Sequence, residues 1–140
     1  MADQSLPPCH SLHFLQMACE KVCKASMIYS GVNPKNVHTY VAKHLPIIVR
    51  SYMSRDAGRW PKDNWMVEAI RPLAKKIELL SPSAKDGGRS PENCEYPWLS
   101  HDGSRVTAPA DHKFDFDILY EKAGIALLKI VRQVATELQK

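Results

Sequence analysis

One stretch near the middle of the chain, from Val37 to Met53, constrains the fold more than any other. Its apolar residues recur at spacings of three and four, which places them on one broad face of a helix. Pro46 interrupts the stretch, and because its ring clashes with the carbonyl four residues earlier, we expect the helix to kink or restart there. The spacing continues past the proline, so we expect one continuous buried side. Its apolar residues are Val37, Tyr40, Val41, Leu45, Ile48, Val49, Tyr52 and Met53.

The same spacing predicts three further helices. The first covers residues 11–30, with Ser11 able to cap its start and a glycine placed to end it at position 31. A third helix covers residues 61–80 and contains Pro72 as a second kink, and the last follows one apolar face across residues 116–138. The central helix is expected to end near Gly58. We therefore predict an all-α fold, a single-domain bundle of four to five helices with proline kinks.

Two segments of the domain, which is predicted to span residues 1–140, lie outside these helices. Residues 1–10 contain two prolines and are predicted to form a loose N-terminal arm. Residues 81–112 contain four prolines and three glycines but few spaced apolar residues, which predicts one long loop or insertion. The only apolar group in this loop is expected to dock on the bundle through Tyr96, Trp98 and Leu99.

The first helix carries apolar residues on two sides. One face includes Leu12, Cys19 and Cys23, and a second stripe includes Phe14, Ala18, Ala25 and Tyr29. We therefore expect cover on both sides, either within the bundle or at a subunit contact. Glu20 and Lys24 of this helix have the i,i+4 spacing of an ion pair, which is worth about 0.3 kcal/mol on an exposed helix.

Positive charge is concentrated in residues 35–76. These residues carry nine Lys and Arg against three Asp and Glu, a net charge of +6 in a chain whose total is +4. Such an excess attracts phosphate backbones through counterion release without specifying a base sequence, although a solvated face of a basic protein has the same composition. If residues 35–76 form an RNA-binding strip, their cations are predicted to lie on one ridge and to contact the phosphates. These are Lys43, Arg50, Arg55, Arg59, Lys75 and Lys76.

No motif in the sequence points to catalysis. A phosphate-cradling loop, a nucleophile elbow and a zinc-protease helix are all missing, so we predict no enzyme activity, no cofactor and no small-molecule substrate. One alternative stays open, because Arg105 and His112 fit the loose Arg-x4-6-His spacing of HEPN-type ribonucleases. The sequence also lacks an apolar run of the roughly 20 residues that cross a bilayer, so we expect a cytoplasmic protein.

The cysteines are predicted to be free thiols in the core. Cys9, Cys19, Cys23 and Cys94 occur without a secretory signal, which favours a reducing compartment over a disulfide framework. Cys19 and Cys23 share a helix face, so a metal site that includes Cys9 and His13 stays open. However, the two close ligand pairs typical of structural zinc sites are missing.

Three stretches resemble a known family. The pattern AxEKVxKA at 18–25 and the sequence YVAKHLPIIVRS at 40–51 resemble the first half of the small subunit of type III-B (Cmr-type) CRISPR effector complexes. In that family a tyrosine-containing helix runs into a Leu-Pro pair and an apolar segment. The sequence YEKAGIALLKIVRQVATEL at 120–138 is similar to the helix that closes the family's fold.

The resemblance implies a compact helical bundle that stacks with copies of itself, lines the groove that holds guide and target RNA, and has no catalytic role. It also implies larger protein subunits as partners and antiviral defense as the biological setting. A different interpretation is a protein-binding adaptor or inhibitor of the phage or plasmid type, which would dock through the first helix and the loop around Trp98. The sequence leaves open whether RNA or DNA is bound and in how many copies the subunit occurs.

Overall fold

The computed structural model describes residues 7–35, 38–55, 58, 65–84 and 92–139. Over this part of the chain, four α-helices and one short antiparallel ribbon make up the regular structure, which confirms the predicted all-α bundle. No described helix has both the length and the apolar character needed to cross a membrane. The elements are α1 (Pro8–Tyr29), α2 (Val41–Arg55), α3 (Trp65–Leu79), β1 (Trp98–Leu99), β2 (Val106–Thr107) and α4 (Lys122–Glu137), with 3-10 helices at Pro109–Asp111 and Asp117–Tyr120.

The core lies where α2 and α3 pack against each other and against α1 and α4. Its largest fully buried side chains come from three of these helices. Burying each such aliphatic side chain stabilises the fold by about 1.5–3 kcal/mol, and the spacing of three and four along each helix is the reason the sequence revealed them. These residues are Leu45, Ile70, Leu73, Ile77, Leu127 and Ile130.

The prolines inside the bundle do not break its helices. Pro46 lies within α2 and Pro72 lies within α3, and both helices continue past the proline. Each proline removes one backbone donor from its helix. The central helix nevertheless differs from its predicted bounds, because it begins at Val41 and ends at Arg55. Val37, predicted to belong to it, lies outside the described residues.

The first helix begins three residues earlier than the sequence predicted. Pro8 occupies the first helical position, where its fixed φ suits the helix and its missing N–H would have no partner in any case. The predicted arm is therefore shorter than ten residues, and residues 1–6 lie outside the described part. The helix ends as predicted at Gly31, whose φ of +78° lets the Val32 N–H reach the Met27 carbonyl at 2.9 Å.

The second apolar stripe of α1 is not covered by the bundle itself, so of the two kinds of cover predicted for it only a subunit contact remains a prediction. The side chain of Phe14 is 60% exposed, with the ring of His13 beside it at 6.0 Å between centroids, and that of Tyr29 is 86% exposed. The buried face of α1, which includes Leu12, Cys19 and Cys23, matches the prediction. Among the described residues, the bundle packs against one side of this helix.

The predicted loop at 81–112 contains regular structure in its second half. Trp98 of β1 pairs with Thr107 of β2, and its ring packs edge-on against His112 at 5.3 Å between ring centroids. The ring of Trp98 thus packs against residues within the loop and just after it, and its docking on the helices stays a prediction; Tyr96 and Leu99 are 62% and 60% exposed, so docking is wrong for these two. Successive side chains of a strand point to opposite faces, so Leu99 must face outward when Trp98 faces inward. Residues 85–91 lie outside the described part.

The last element is shorter than the predicted helix over 116–138. A 3-10 helix at Asp117–Tyr120 precedes α4, and Glu121 between them has an extended backbone, with φ −84° and ψ 169°. The break shifts the face on which Tyr120 lies, so its ring is 84% exposed instead of buried. At Gly124 the 3-10 helix approaches α4 so closely that a Cβ would collide with the backbone of Ile118 and Leu119.

Candidate nucleic-acid interface

The outer face of α2 carries cations without any acid. The helix contains no Asp or Glu, and Lys43 and Arg50 are both exposed. At 3.6 residues per turn their seven-residue spacing places them on one stripe, about 10.5 Å apart along the axis, with Ile47 and Ser54 on the same side. Neither cation forms an ion pair within the described residues. Both are therefore available to an anionic ligand.

His44 follows Lys43 in α2 and is half-buried. Its partial burial, together with the positive charge of the neighbouring Lys43, lowers the pKa of the imidazole below its ordinary value of 6.5. The ring of His44 is consequently neutral at neutral pH, and the positive charge of the stripe comes from Lys43 and Arg50.

Three of the other predicted phosphate contacts are held by carboxylates. Arg55 lies 3.4 Å from Glu137 of α4, and its guanidinium also sits 5.2 Å from the centroid of the Tyr52 ring. Lys76 reaches Asp115 at 2.8 Å. The third, Lys75, lies 3.3 Å from Glu78. Arg59 lies outside the described residues.

Lys75 has a structural partner in Glu78. The Glu78 carboxylate is 4% exposed and lies 3.3 Å from the Lys75 ammonium. Its other oxygen accepts a hydrogen bond of 2.9 Å from the backbone N–H of Ala42, in the first turn of α2. Acids are favourable at a helix N-terminus because the first N–H groups there have no partners within the helix. Lys75 therefore helps to neutralise a buried acid that joins α3 to α2.

Lys75 and Lys76 do not belong to one ridge. Adjacent residues of a helix point about 100° apart, and the partners of these two lysines lie in different parts of the fold. Lys75 contacts the acid that joins α3 to α2, whereas Lys76 contacts the segment before α4 and lowers the pKa of Asp115 through a hydrogen bond and its charge. The structure brings together Lys43 and Arg50 but separates these two lysines.

Sequence reasoning missed the cations of α4. Lys122, Lys129 and Arg132 are all exposed, and none of them forms an ion pair within the described part of the chain. The helix contains a single acid, Glu137, so its outer face resembles that of α2. Counting acids in each helix would have revealed this, whereas a charge count over residues 35–76 does not include the cations at 122–132.

The cysteines are core thiols, as predicted. All four are free and buried, and burial raises the pKa of Cys19 and of Cys94 to about 12. The pKa of Cys23 is raised as well, first by burial and then by the nearby charges. Across the described residues, no three His, Cys, Asp or Glu side chains are arranged to hold a metal ion.

Native protein is expected to resist thiol reagents. Because only a thiolate attacks such a reagent, burial and a raised pKa both slow the reaction. Mixing native protein with a chromogenic disulfide should give almost no colour during the time in which denatured protein titrates four thiols. Rapid labelling of the native protein would contradict the buried placement, and a stoichiometric zinc content would reopen the metal interpretation.

The residues of the ribonuclease alternative lie in irregular segments. Arg105 precedes β2 and is exposed, and His112 follows the 3-10 helix at Pro109–Asp111. The imidazole of His112 packs between aromatic rings, 5.3 Å from the centroid of Trp98 and 4.6 Å from that of Phe114. In this arrangement His112 serves as a packing residue of the ribbon, and no helix presents it together with Arg105.

His13 belongs to a different neighbourhood. Its Nδ1 lies 3.7 Å from the Glu95 carboxylate and has no hydrogen-bond partner in the described chain. Together with His10 and Tyr96 it lines an open cavity of about 300 Å³ near the N-terminal end of α1.

Comparisons with known proteins give no relative for this chain. No family model matches it, and searches of curated proteins and of solved structures return no significant match.

Proposed function

We propose that this protein is a non-catalytic helical subunit that binds the sugar-phosphate backbone of RNA. It acts in the cytoplasm beside larger subunits of an RNA-guided effector complex of the type III-B kind, which is the setting implied by the sequence resemblance. The observation that carries the proposal is the pair Lys43 and Arg50, exposed on a helix face that lacks acids. Cations placed in this way attract phosphates and release counterions, and they do not distinguish base sequences.

The other predicted contacts differ in how easily each cation can exchange its carboxylate for an RNA phosphate. Ion pairs at the surface are worth about 0–1 kcal/mol, so RNA phosphates can replace Glu137 at Arg55 and Asp115 at Lys76. Lys75 contributes least, because releasing it would leave Glu78 buried without its cation. Arg59 remains a proposed contact, although it lies outside the described residues.

Reversing the two exposed charges of α2 tests the proposal. Lys43→Glu combined with Arg50→Glu is expected to weaken RNA binding roughly tenfold or more at low salt, to a similar extent for every base sequence. The slope of log affinity against log salt should become shallower by at least about 1.4, since each lost phosphate contact accounts for about 0.7 on single strands. Fluorescence anisotropy of labelled RNA at several salt concentrations measures both quantities.

A matched control separates this effect from net charge. Lys21→Glu with Lys35→Glu makes the same change in net charge at two exposed cations outside α2 and should reduce affinity far less. Equal loss in both double variants would mean that only overall charge matters. RNA should also stay intact throughout; cleavage that stops in His112→Ala would contradict a non-catalytic role.

Protein binding is a second candidate function. The observation that favours it is the exposed apolar stripe of α1, where Phe14, Ile28 and Tyr29 are each at least 60% exposed. Exposed patches of this kind mark protein contacts more often than scattered single residues do. Within the proposed complex, the stripe would face a larger subunit or a stacked copy. If the reversal at Lys43 and Arg50 leaves RNA affinity unchanged, while Phe14→Ser removes a copurifying protein, the adaptor function replaces RNA binding.

A further inference from the structure

The outer face of α4 is a second cationic strip. Lys122, Lys129 and Arg132 are exposed, and the described residues supply no carboxylate within ion-pair distance of any of them. In contrast, every cation of α3 has such a carboxylate: Glu68 beside Arg71, Glu78 beside Lys75 and Asp115 beside Lys76. The strip of α2 is therefore matched by α4 and not by α3.

An ion pair joins the two helices that carry the strips. Arg55 near the end of α2 contacts Glu137 near the end of α4 at 3.4 Å, so the C-terminal ends of the two helices meet. Arg50 and Arg132 each lie five residues from this pair, which corresponds to about 7.5 Å along either helix axis and about 140° around it. The one acid of α4 is engaged in this junction and α2 contains no acid, so no unpaired carboxylate of either helix opposes a polyanion that curves around them from one strip to the other.

An exposed aromatic ring lies beside the N-terminal end of the α4 strip. Tyr120 is 84% exposed and precedes Lys122 by two residues, whereas Phe116 in the same segment is buried. Nothing in the described fold packs over the Tyr120 ring, so its face is open to a base. Aromatic side chains that alternate with cations along a surface are typical of proteins that bind single strands, because only an unpaired base can stack on them.

We infer that the ligand is single-stranded RNA, and that it continues from α2 across the Arg55–Glu137 junction onto α4. Lys129 and Arg132 contact its phosphates and Tyr120 stacks on one base. This inference rests on the proposed RNA binding and adds the class of ligand and three contact residues. An anionic lipid surface or an acidic peptide would use the cations, but neither would need the ring of Tyr120.

The experiment uses the full chain, a labelled single-stranded RNA long enough to reach both helices, and a blunt RNA duplex of the same sequence. Lys129→Gln with Arg132→Gln should make the salt slope for the single strand shallower by about 1.4. Tyr120→Ala should weaken the single-strand complex roughly fivefold to 150-fold without changing the slope. Tyr29→Ala, which removes a ring of equal exposure on α1, is the matched control and should have no effect.

Each outcome separates this inference from the proposed function. If the α4 variants bind like the wild type while Lys43→Glu with Arg50→Glu binds weakly, the path over α4 is overturned and RNA binding by α2 stands. If the wild-type protein binds the duplex as tightly as the single strand, or prefers phosphatidylserine vesicles to RNA, the ligand class is overturned. If none of these charge variants changes affinity, both proposals fail.

Discussion

Glu20→Leu is expected to lower the free energy of unfolding by about 3 kcal/mol, which is far more than the value for an exposed helix pair. The Glu20 carboxylate is 4% exposed and accepts hydrogen bonds from Lys24 at 2.7 Å and from Gln16 at 3.0 Å, with the His38 ring nitrogen 2.9 Å away. Removing it leaves the buried amide of Gln16 and the largely buried ammonium of Lys24 without their acceptor. Urea denaturation of the variant and the wild type measures the difference.

The same carboxylate makes this difference depend on pH. Burial alone would raise the pKa of Glu20, but hydrogen bonds from Lys24, His38 and Gln16 outweigh it and hold the pKa below the ordinary value of 4.5. A group whose pKa is lower in the folded state stabilises the fold fully above its unfolded pKa, and that contribution is lost as the pH falls through the folded pKa. The gap between wild type and variant should therefore be widest near neutral pH and should narrow below about 4.5.

An exposed ion pair supplies the control for Glu20. Glu68 and Arg71 lie 3.2 Å apart with both side chains more than half exposed. Glu68→Leu should therefore change stability by no more than about 0.5 kcal/mol. Equal losses in the two variants, or a gap for Glu20→Leu that stays constant down to strongly acidic pH, would show that burial of Glu20 is not the cause.

Gly124→Ala is expected to destabilise the fold by about 2 kcal/mol, even though alanine is about 1 kcal/mol better than glycine inside a helix. A Cβ at this position would meet the carbonyl oxygen of Ile118 and the backbone of Leu119. Backbone atoms cannot rotate away as a side chain can, so the 3-10 helix at Asp117–Tyr120 must move off α4. Thermal unfolding of the variant should show a lower Tm than that of the wild type.

A second glycine tests the reason for that loss. No atom of the described residues lies within 4 Å of a Cβ placed at Gly58, so Gly58→Ala should change stability by less than about 0.5 kcal/mol. A Gly124→Ala variant that unfolds at the same temperature as the wild type, or at a higher one, would mean that the 3-10 helix does not contact α4 as closely as described. The exposed Tyr120 would then lose its defined position beside Lys122.

The stability and binding experiments concern different parts of the molecule. Lys43, Arg50, Lys129 and Arg132 are exposed and make no ion pair in the described chain, so their substitution should leave the unfolding free energy nearly unchanged. A loss of RNA affinity in those variants can therefore be assigned to the surface itself. Substitutions at Glu20 or Gly124 act through the fold, and their effect on RNA should follow the fraction of folded protein.

The helical core was predictable from sequence because its signal is local. Leu45 and Val49 of α2, or Leu127 and Ile130 of α4, are buried at the spacing that 3.6 residues per turn requires. Helix ends were predicted less well. Pro8 extends α1 beyond the expected cap, and Glu121 separates the last helix from the 3-10 helix before it. The apolar spacing continues across both points, but the local backbone geometry decides where the helix begins.

The candidate site was predictable only in part. Lys43 and Arg50 are exposed as their positions on α2 required, but the partners of other cations were hidden by distance along the chain. Arg55 and Glu137 are separated by 82 positions, and Lys76 and Asp115 by 39. A count of charges over neighbouring residues cannot detect either pair. In the structure these cations form ion pairs. The cations without a pair in the described chain therefore lie on α2 and α4, and not on α2 and α3 as the sequence predicted.

By itself the sequence determined which faces of the helices are apolar and where cations occur, because both follow from residue type and from the period of a helix. Only the tertiary structure decided which charges remain unpaired, that Glu20 and Glu78 are buried, and that one side of α1 stays uncovered. The physical reason is that burial and ion pairing depend on contacts between distant segments, and the free energy of a charge changes greatly with its surroundings.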